Sequence, residues 1–402
     1  MSFNSTFSAL STRGFGVNLP QGWLQQAILQ SNDLVDSDNF GWSVSINTDA
    51  TYLVVGARSV SGATGAAYVF TRSGTTWTQQ TKLVASDGVV GEYFGQSVSI
   101  NNAGDTISVG APSENTSPFS GNGAAYIFTR SGTTWTQQAK LLASDAASND
   151  DFGGSISLDG SGDYLIVGAP SDDISPNTNC GAAYIFTRTG TTWTQQTKLI
   201  APTRTNLDFF GISVQISNDS NYVVIGAQQT GSALGKVYVY YRIGSSWTLQ
   251  LETSGSGSLA LFGLERGRSV TINSDGSIII FSNSTGSRLW FFNRSGTTWT
   301  ESQVLTVGSA GPAQQIGSAS LSTNNNVTET LIGLQGPGKT FNIVYDTNYY
   351  VTQAITGSDT VSEDKYGFSV SIAQSINYAA IGAPSPSVAP GGNKVYIIYK
   401  PA

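Results

Sequence analysis

Short alternating segments dominate the chain. Ser43 to Ile46 alternates small polar and branched apolar residues, the period-2 pattern of a strand with one buried face. Tyr52 to Val55 is a short apolar run, and Ala67 to Thr71 alternates again, putting Tyr68 and Phe70 on one face. A Ser73-Gly74 turn signal follows, and Trp77 to Leu83 carries the Thr and Gln of an outer edge strand. Four strands are expected from this stretch, and the stretch repeats. Gly65 to Trp77 recurs almost verbatim at Gly123 to Trp135 and Gly181 to Trp193, more loosely at Gly235 to Trp247 and Ser287 to Trp299, and in degenerate form at Gly338 to Tyr350.

A second block precedes each copy. Phe40-Gly41-Trp42-Ser43 leads to Gly56-Ala57, with counterparts starting at Phe94, Phe152, Phe210 and Tyr366 and reaching Gly110-Ala111-Pro112, Gly168-Ala169-Pro170, Gly226-Ala227 and Gly382-Ala383-Pro384. Arg266-Gly267 and Ile316-Gly317 open two decayed copies. Unit starts at 40, 94, 152, 210, 266, 316 and 366 give seven units of 50 to 58 residues. Four strands per unit at this period predict an all-β fold, a seven-bladed β-propeller of four-stranded blades. The last unit stops at Tyr399 after its third strand, while Gly22-Trp23-Leu24-Gln25-Gln26-Ala27-Ile28-Leu29 matches Thr76 to Leu83. Residues 21–30 are therefore expected to supply the outer strand of the last blade, with 1–20 as an N-terminal arm and 21–402 as the propeller. Such pairing closes the ring and covers an edge.

Phe-Gly followed sixteen residues later by Gly-Ala-Pro, over and over, resembles the FG-GAP repeat of integrin α-subunit heads and related extracellular propellers. The resemblance covers 21–402 and implies a propeller used for adhesion, ligand binding or assembly. One departure matters. Several integrin-like repeats carry an Asp-x-Asp-x-Asp-Gly calcium loop between the first and second strands. Here that link is only Asn47-Thr48-Asp49-Ala50, Asn101 to Asp105, Asp159 to Asp163 or Asn273 to Gly276, too short and too poor in carboxylates to wrap a calcium ion. These read as tight turns, so no cofactor or metal is expected, and Asp159 and Asp163 are the residual metal candidates.

Composition narrows the function. The 402 residues carry 46 Gly, 11% charged residues and a net charge of −7, which disfavours nucleic acid. No run approaches the ~18 apolar residues of a membrane helix, and Met1 to Pro20 lacks the basic and apolar regions of a signal peptide. The single cysteine, Cys180, forms no internal disulfide. With no histidine, His-dependent nucleophilic triads and His-ligated zinc are excluded. A carboxylate-pair glycosidase is left open by residue type alone.

Strands alternate in direction, so the loops joining strands two to three and four to one share a face. Acidic residues gather there: Asp33, Asp36, Asp38, Asp87, Glu92, Glu114, Asp145, Asp150, Asp151, Asp172, Asp173, Glu363 and Asp364, together with the aromatic Phe119. This set forms the candidate ligand face. Arg72, Arg130 and Arg294 lie on turns of the opposite face, and Trp77, Trp135, Trp193, Trp247 and Trp299 read as packing between blades. No catalytic residue is assigned, and the expected role is a non-enzymatic binding module for adhesion, receptor attachment or particle assembly, including that of a virion. A soluble glycan-binding lectin is the alternative, and a carboxylate glycosidase a third. The partners expected are other structural or surface proteins, a host receptor or a glycan, at an extracellular or virion surface, with no membrane insertion.

Overall fold

The computed structural model describes residues 22–33, 35, 37–229, 235–256, 266–283, 288–306, 315–324, 329–335, 339–345, 349–356, 358, 365–374, 377–384 and 393–401. The expected N-terminal arm, together with Asp36, Glu363 and Asp364, lies outside these residues. The strands form seven four-stranded antiparallel sheets. Six of them run in simple chain order, as in Phe40–Ile46, Tyr52–Ala57, Ala66–Ser73 and Thr76–Leu83. The seventh has the order Leu24–Leu29, Lys394–Tyr399, Tyr378–Ala383, Ser369–Ile372, so its outer strand comes from the other end of the chain.

That N-terminal strand copies the fourth strand of the other sheets in detail. A bulge skips Gln26 in the pairing of Leu24–Leu29 with Lys394–Tyr399, just as a bulge skips Gln80 between Ala66–Ser73 and Thr76–Leu83. Gln25 Oε1 accepts the Ser358 N–H at 2.9 Å. Gln79, Gln137 and Gln195 accept the same bond from Asn32, Ser86 and Ser144.

The Phe-Gly and Gly-Ala pairs have one physical explanation, the joint between neighbouring sheets. A Cβ on Gly110 would lie 2.0 Å from the carbonyl oxygen of Gly153, the Gly of the next unit's Phe-Gly. The same clash, at 2.1 Å, would arise between Gly382 of the last unit and the Gly41 oxygen of the first. Only glycine permits so close a backbone approach. The crowded carbonyl is also an acceptor. Ser97 Oγ donates to Gly153 O at 2.8 Å, and Ser369 Oγ to Gly41 O at 2.8 Å. One turn further along, the inner-strand N–H of Ile100 donates to Ser45 Oγ at 3.1 Å, and that of Ile46 to Ser371 Oγ at 3.1 Å. First-strand residues of successive sheets are thus tied together around a central channel.

The core lies between sheets. The Phe of the first three Phe-Gly pairs packs edge-on against the Tyr and Phe of its own third strand, as Phe94 does on Tyr126 and Phe128 with centroids 5.4 and 6.0 Å away. The tryptophans stitch the periphery. Nε1 of Trp135 donates to Gln80 Oε1 at 2.8 Å, and Trp193 and Trp247 repeat the contact with Gln138 and Gln196. Arg72, Arg130 and Arg294 stack on Tyr378, Tyr52 and Tyr222 of the preceding sheet at 4.4 to 4.5 Å. These arginines of the opposite face are thus occupied in packing.

Candidate functional site

The acidic loops are held largely by their own chain. Lys140 Nζ lies 2.7 Å from Asp87 and 2.5 Å from the buried Glu114, while Tyr126 Oη donates to Asp87 at 3.0 Å. The next sheet repeats this with Lys198 at 2.8 Å from both Asp145 and the buried Asp172, and with Tyr184 bonded to both. In the first sheet Lys82 holds Asp33 at 2.6 Å, and the position matching Glu114 is the apolar Val60, so a second carboxylate is missing. Burial pushes Asp87 and Asp145 up, but the bonds from lysine and tyrosine outweigh it and hold both below the usual carboxylate range.

A second set of acids closes turns. Asp38, Glu92 and Asp150 are almost fully buried, and each accepts the N–H of the residue three earlier, Val35, Val89 and Ala147, at 2.6 to 2.9 Å. Burial, opposed only in part by that bond, raises all three, Asp150 to about 6. Asp208 takes the same place through Thr205. Asp173 Oδ1 accepts from Asn179 N at 2.7 Å. Phe119 is 38% exposed and lies outside the lining of the channel.

Asp159 is a turn residue. Its Oδ1 accepts from Gly162, Asp163 and Tyr164 N–H groups, and its Oδ2 from Ser161 and Ser220 hydroxyls. Asn47, Asn101 and Asn273 do the same backbone work at the matching positions. A neutral amide suffices there, so the carboxylate does not mark a cation site. Asp163 pairs with Arg188 at 2.8 Å. Among the described residues no group of acids could hold a metal ion, and no helix is long and apolar enough to cross a membrane.

What remains open is the central channel, which encloses about 890 Å³. Much of its wall is built of uncharged inner-strand residues such as Ser45, Val98 and Ile156. Its charged lining residues are Arg58, Arg268, Lys365 and Asp151. These occupy special repeat positions. Asp151 and Lys365 directly precede the Phe-Gly or Tyr-Gly pair, Arg268 directly follows its Arg-Gly pair, and Arg58 directly follows Gly-Ala. At these positions the near-identical units differ: Tyr93 and Asp151 precede their pairs, Trp42, Gln96, Gly154 and Ile212 follow theirs, and Pro112 and Pro170 match Arg58.

The position after one unit's Gly-Ala meets the position after the next unit's Phe-Gly. Arg58 Nη1 donates to Gln96 Oε1 at 2.8 Å. Farther round, the pair is reversed, with Arg268 Nη1 donating to Gln228 Oε1 at 2.6 Å. The Arg58 guanidinium lies 3.3 Å above the Trp42 ring centroid and 5.2 Å from that of Tyr93, and Trp42 packs on Phe368 at 4.3 Å. Lys365 Nζ sits 5.7 Å from the Phe368 centroid. Burial lowers Arg58, and burial together with the Arg58 charge lowers Lys365. Asp151, bonded to Ser171 Oγ at 2.6 Å, is raised by burial.

Of the described acids expected on the ligand face, only Asp151 reaches the channel; the others bond lysines, tyrosines or backbone. Loop composition alone does not reveal the cation–aromatic mouth. The signal that could have found it is the variation at fixed positions of otherwise repeated units.

Four stretches, residues 23–70, 77–128, 135–186 and 193–240, match the FG-GAP repeat model. Each begins near an outer strand and ends in the third strand of the following sheet, so the sequence repeat is staggered against the structural one. The chain is similar to the crystal structure of the β-propeller domain of Cps50 (Swd1) from Myceliophteria thermophila. The TM-score is 0.62 over 94% of this chain and 100% of that one, at 6% identity, a likeness of fold alone. Among curated proteins no sequence matches the chain.

Proposed function

We propose that this chain, a β-propeller carrying FG-GAP repeats, is a non-enzymatic binding module of the integrin-α-like, seven-bladed kind that offers the mouth of its channel to a ligand. The observation that carries this reading is the contrast between frame and rim. Units that are nearly identical along their strands diverge where side chains meet at the mouth, as in Trp42, Gln96 and Gly154. A rigid scaffold with variable residues on one rim is the arrangement of a recognition surface. Binding rather than catalysis is favoured by the absence of histidine and by the loop acids, whose oxygens are engaged by lysine, tyrosine and backbone donors. Hydrolysis by paired carboxylates needs such oxygens free to meet substrate.

The setting we propose is a cell or virion surface, in adhesion, receptor attachment or particle assembly. Purification of the untagged protein from its source, with identification of what co-migrates, tests this. Co-sedimentation with structural or surface proteins supports the reading, and a free chain of 42.2 kDa with no companion removes the assembly role. The second reading, a glycan-binding lectin, is favoured by the polar, cation-bearing mouth.

A further inference from the structure

Two rings of side chains line the channel, and hydrogen bonding gives them opposite character. In the ring nearer the mouth, the hydroxyls of Ser43, Ser97, Ser155, Ser213 and Ser369 donate to a glycine carbonyl of the next sheet at 2.8 to 2.9 Å. Each of these oxygens has used its hydrogen and keeps its lone pairs. Two residues further along the strand, roughly 7 Å deeper, the roles reverse. Ser45, Ser99, Ser157 and Ser371, joined by Ser322 of the sixth sheet, accept a backbone N–H of the next sheet at 3.0 to 3.3 Å. Their hydroxyl hydrogens have no acceptor among the described residues. Gln215 takes this place in the fourth sheet, accepting the Ile272 N–H through Oε1 at 2.8 Å and keeping its Nε2 hydrogens.

The far end of the channel is spanned by the turns that leave the inner strands. The Asn102 N–H donates to Gly160 O at 3.2 Å, the Gly160 N–H to Asn218 O at 3.1 Å, and Asn218 Nδ2 to Gln374 Oε1 at 3.0 Å. Asn218 and Gln374 follow the inner strands of the fourth and seventh sheets, so the last bond crosses the ring instead of following it. The channel is therefore a cup entered from the loop face, and its charged residues stand at the mouth, beside the Phe-Gly and Gly-Ala positions. An ion seated at the deep ring would lose its water with no countercharge in return. An apolar body would leave the deep hydroxyl hydrogens unpaired. A neutral body rich in hydroxyls meets both rings, because each of its hydroxyls accepts from the deep ring or donates to the outer one. Val44, Val98 and Ile156, between the two serines of their strands, add apolar surface for its C–H groups. The volume of about 890 Å³ lies within the range of small-ligand sites.

We propose that this cup binds the terminus of a neutral saccharide, with the deep hydroxyls and the Gln215 amide donating to its oxygens and the outer serines accepting from its hydroxyls. This deepens the binding-module reading and rests on it. The test presents the full chain to glucose-, galactose-, mannose- and N-acetylglucosamine-terminated disaccharides beside glucuronate- and galacturonate-terminated counterparts, followed by calorimetry on every binder. At least one neutral sugar is expected to bind, tenfold or more tighter than the uronates. The double variant Ser99→Ala/Ser157→Ala removes two deep donors and is expected to weaken binding tenfold or more. Those oxygens also hold the Leu158 and Ile216 N–H groups, so thermal melting is measured alongside. Gly154→Trp is the second variant. Other units carry Trp42, Gln96, Ile212 and Arg268 at this place, and the tightest contact of an added Cβ is 3.2 Å, to Asp151 O. It narrows the mouth and is expected to weaken binding tenfold or more with little change in melting.

No affinity for any neutral sugar of the panel, uronates bound as tightly as their neutral counterparts, or unchanged affinity in the Gly154→Trp protein overturns the assignment. If the double serine variant unfolds, Gly154→Trp tests the place and the comparison of neutral sugars with uronates tests the chemistry. The two readings fail separately. A protein that co-purifies with a partner but binds no neutral sugar loses this inference and keeps the binding-module role, whereas one that binds the sugar as a free chain loses only the assembly role.

Discussion

Gln25 and Ser358, 333 residues apart in the chain, exchange two hydrogen bonds: Gln25 Nε2 donates to Ser358 Oγ and the Ser358 N–H to Gln25 Oε1, both at 2.9 Å. They join the N-terminal strand to the loop that enters the last sheet. Gln25→Ala removes two exposed bonds and is expected to cost about 1 kcal/mol. Deleting residues 1–29 removes the whole strand, with the buried Trp23 and Leu29, and uncovers Lys394–Tyr399. A fall in melting temperature several times that of Gln25→Ala, with aggregation through the exposed edge, is the expected result; equal melting of the truncated and full chains would refute a structural role for this strand.

Lys140 and Lys82 occupy the same position in neighbouring sheets but face different partners. Lys140→Met leaves the buried Glu114 without its cation and is expected to cost about 3 kcal/mol. Lys82→Met leaves only Asp33, half exposed, and is expected to cost about 0.5 kcal/mol. Chemical denaturation of the two variants side by side checks the ranking, and adding Glu114→Gln to Lys140→Met should recover much of the loss.

Asp150 gives the stability a pH dependence of definite sign. Its carboxyl is pushed up to about 6, first by burial and then by the Asp172 charge, so the folded chain holds that proton more tightly than the unfolded one. Its contribution is fully present below the unfolded value of about 4 and is lost as pH rises through about 6. Asp38 and Glu92 act in the same direction. Asp87 and Asp145, held low, act in the opposite one: their contribution is present above about pH 4 and is lost as pH falls through their folded values. Asp150→Asn keeps an acceptor for Ala147 N–H and is expected to raise stability at pH 7.5 on the order of 1–2 kcal/mol, allowing for solvent screening. Melting curves at pH 4.5 should show that gain largely gone; a gain equal at both pH values would refute the linkage.

Gly110→Ala forces a methyl to within 2.0 Å of the Gly153 carbonyl oxygen, a backbone atom that cannot swing away. We expect a loss of roughly 3 kcal/mol or more, or failure to fold. Gly132→Ala, in an open turn with φ of +60°, should cost about 1 kcal/mol from backbone strain alone. Thermal melting of both variants separates close approach from conformational freedom.

Strand pattern and repetition made the all-β propeller with four-stranded blades readable, because each unit carries its own alternation, turn residues and Phe-Gly and Gly-Ala joints. The match of Trp23-Leu24-Gln25-Gln26 to Trp77-Thr78-Gln79-Gln80 pointed to the outer strand that pairs with Lys394–Tyr399, since a strand's side-chain chemistry is set by its place in the sheet. The candidate site was less readable. Loop acids such as Asp87, Glu114 and Asp172 looked available because their partners, Lys140, Tyr126, Lys198 and Tyr184, lie on strands that come near only when the sheet and its entering loop fold together.

The sequence by itself determined the repeating unit and its strands, because period, turn chemistry and the need for glycine at a crowded joint are local properties. Which charges are spent and which are left over was decided only by tertiary structure. Arg58, Arg268 and Lys365 stand 97 to 307 residues apart in the chain, and only the circular arrangement of the sheets brings them to one mouth. There they line one channel together with the aromatic rings of Trp42 and Phe368.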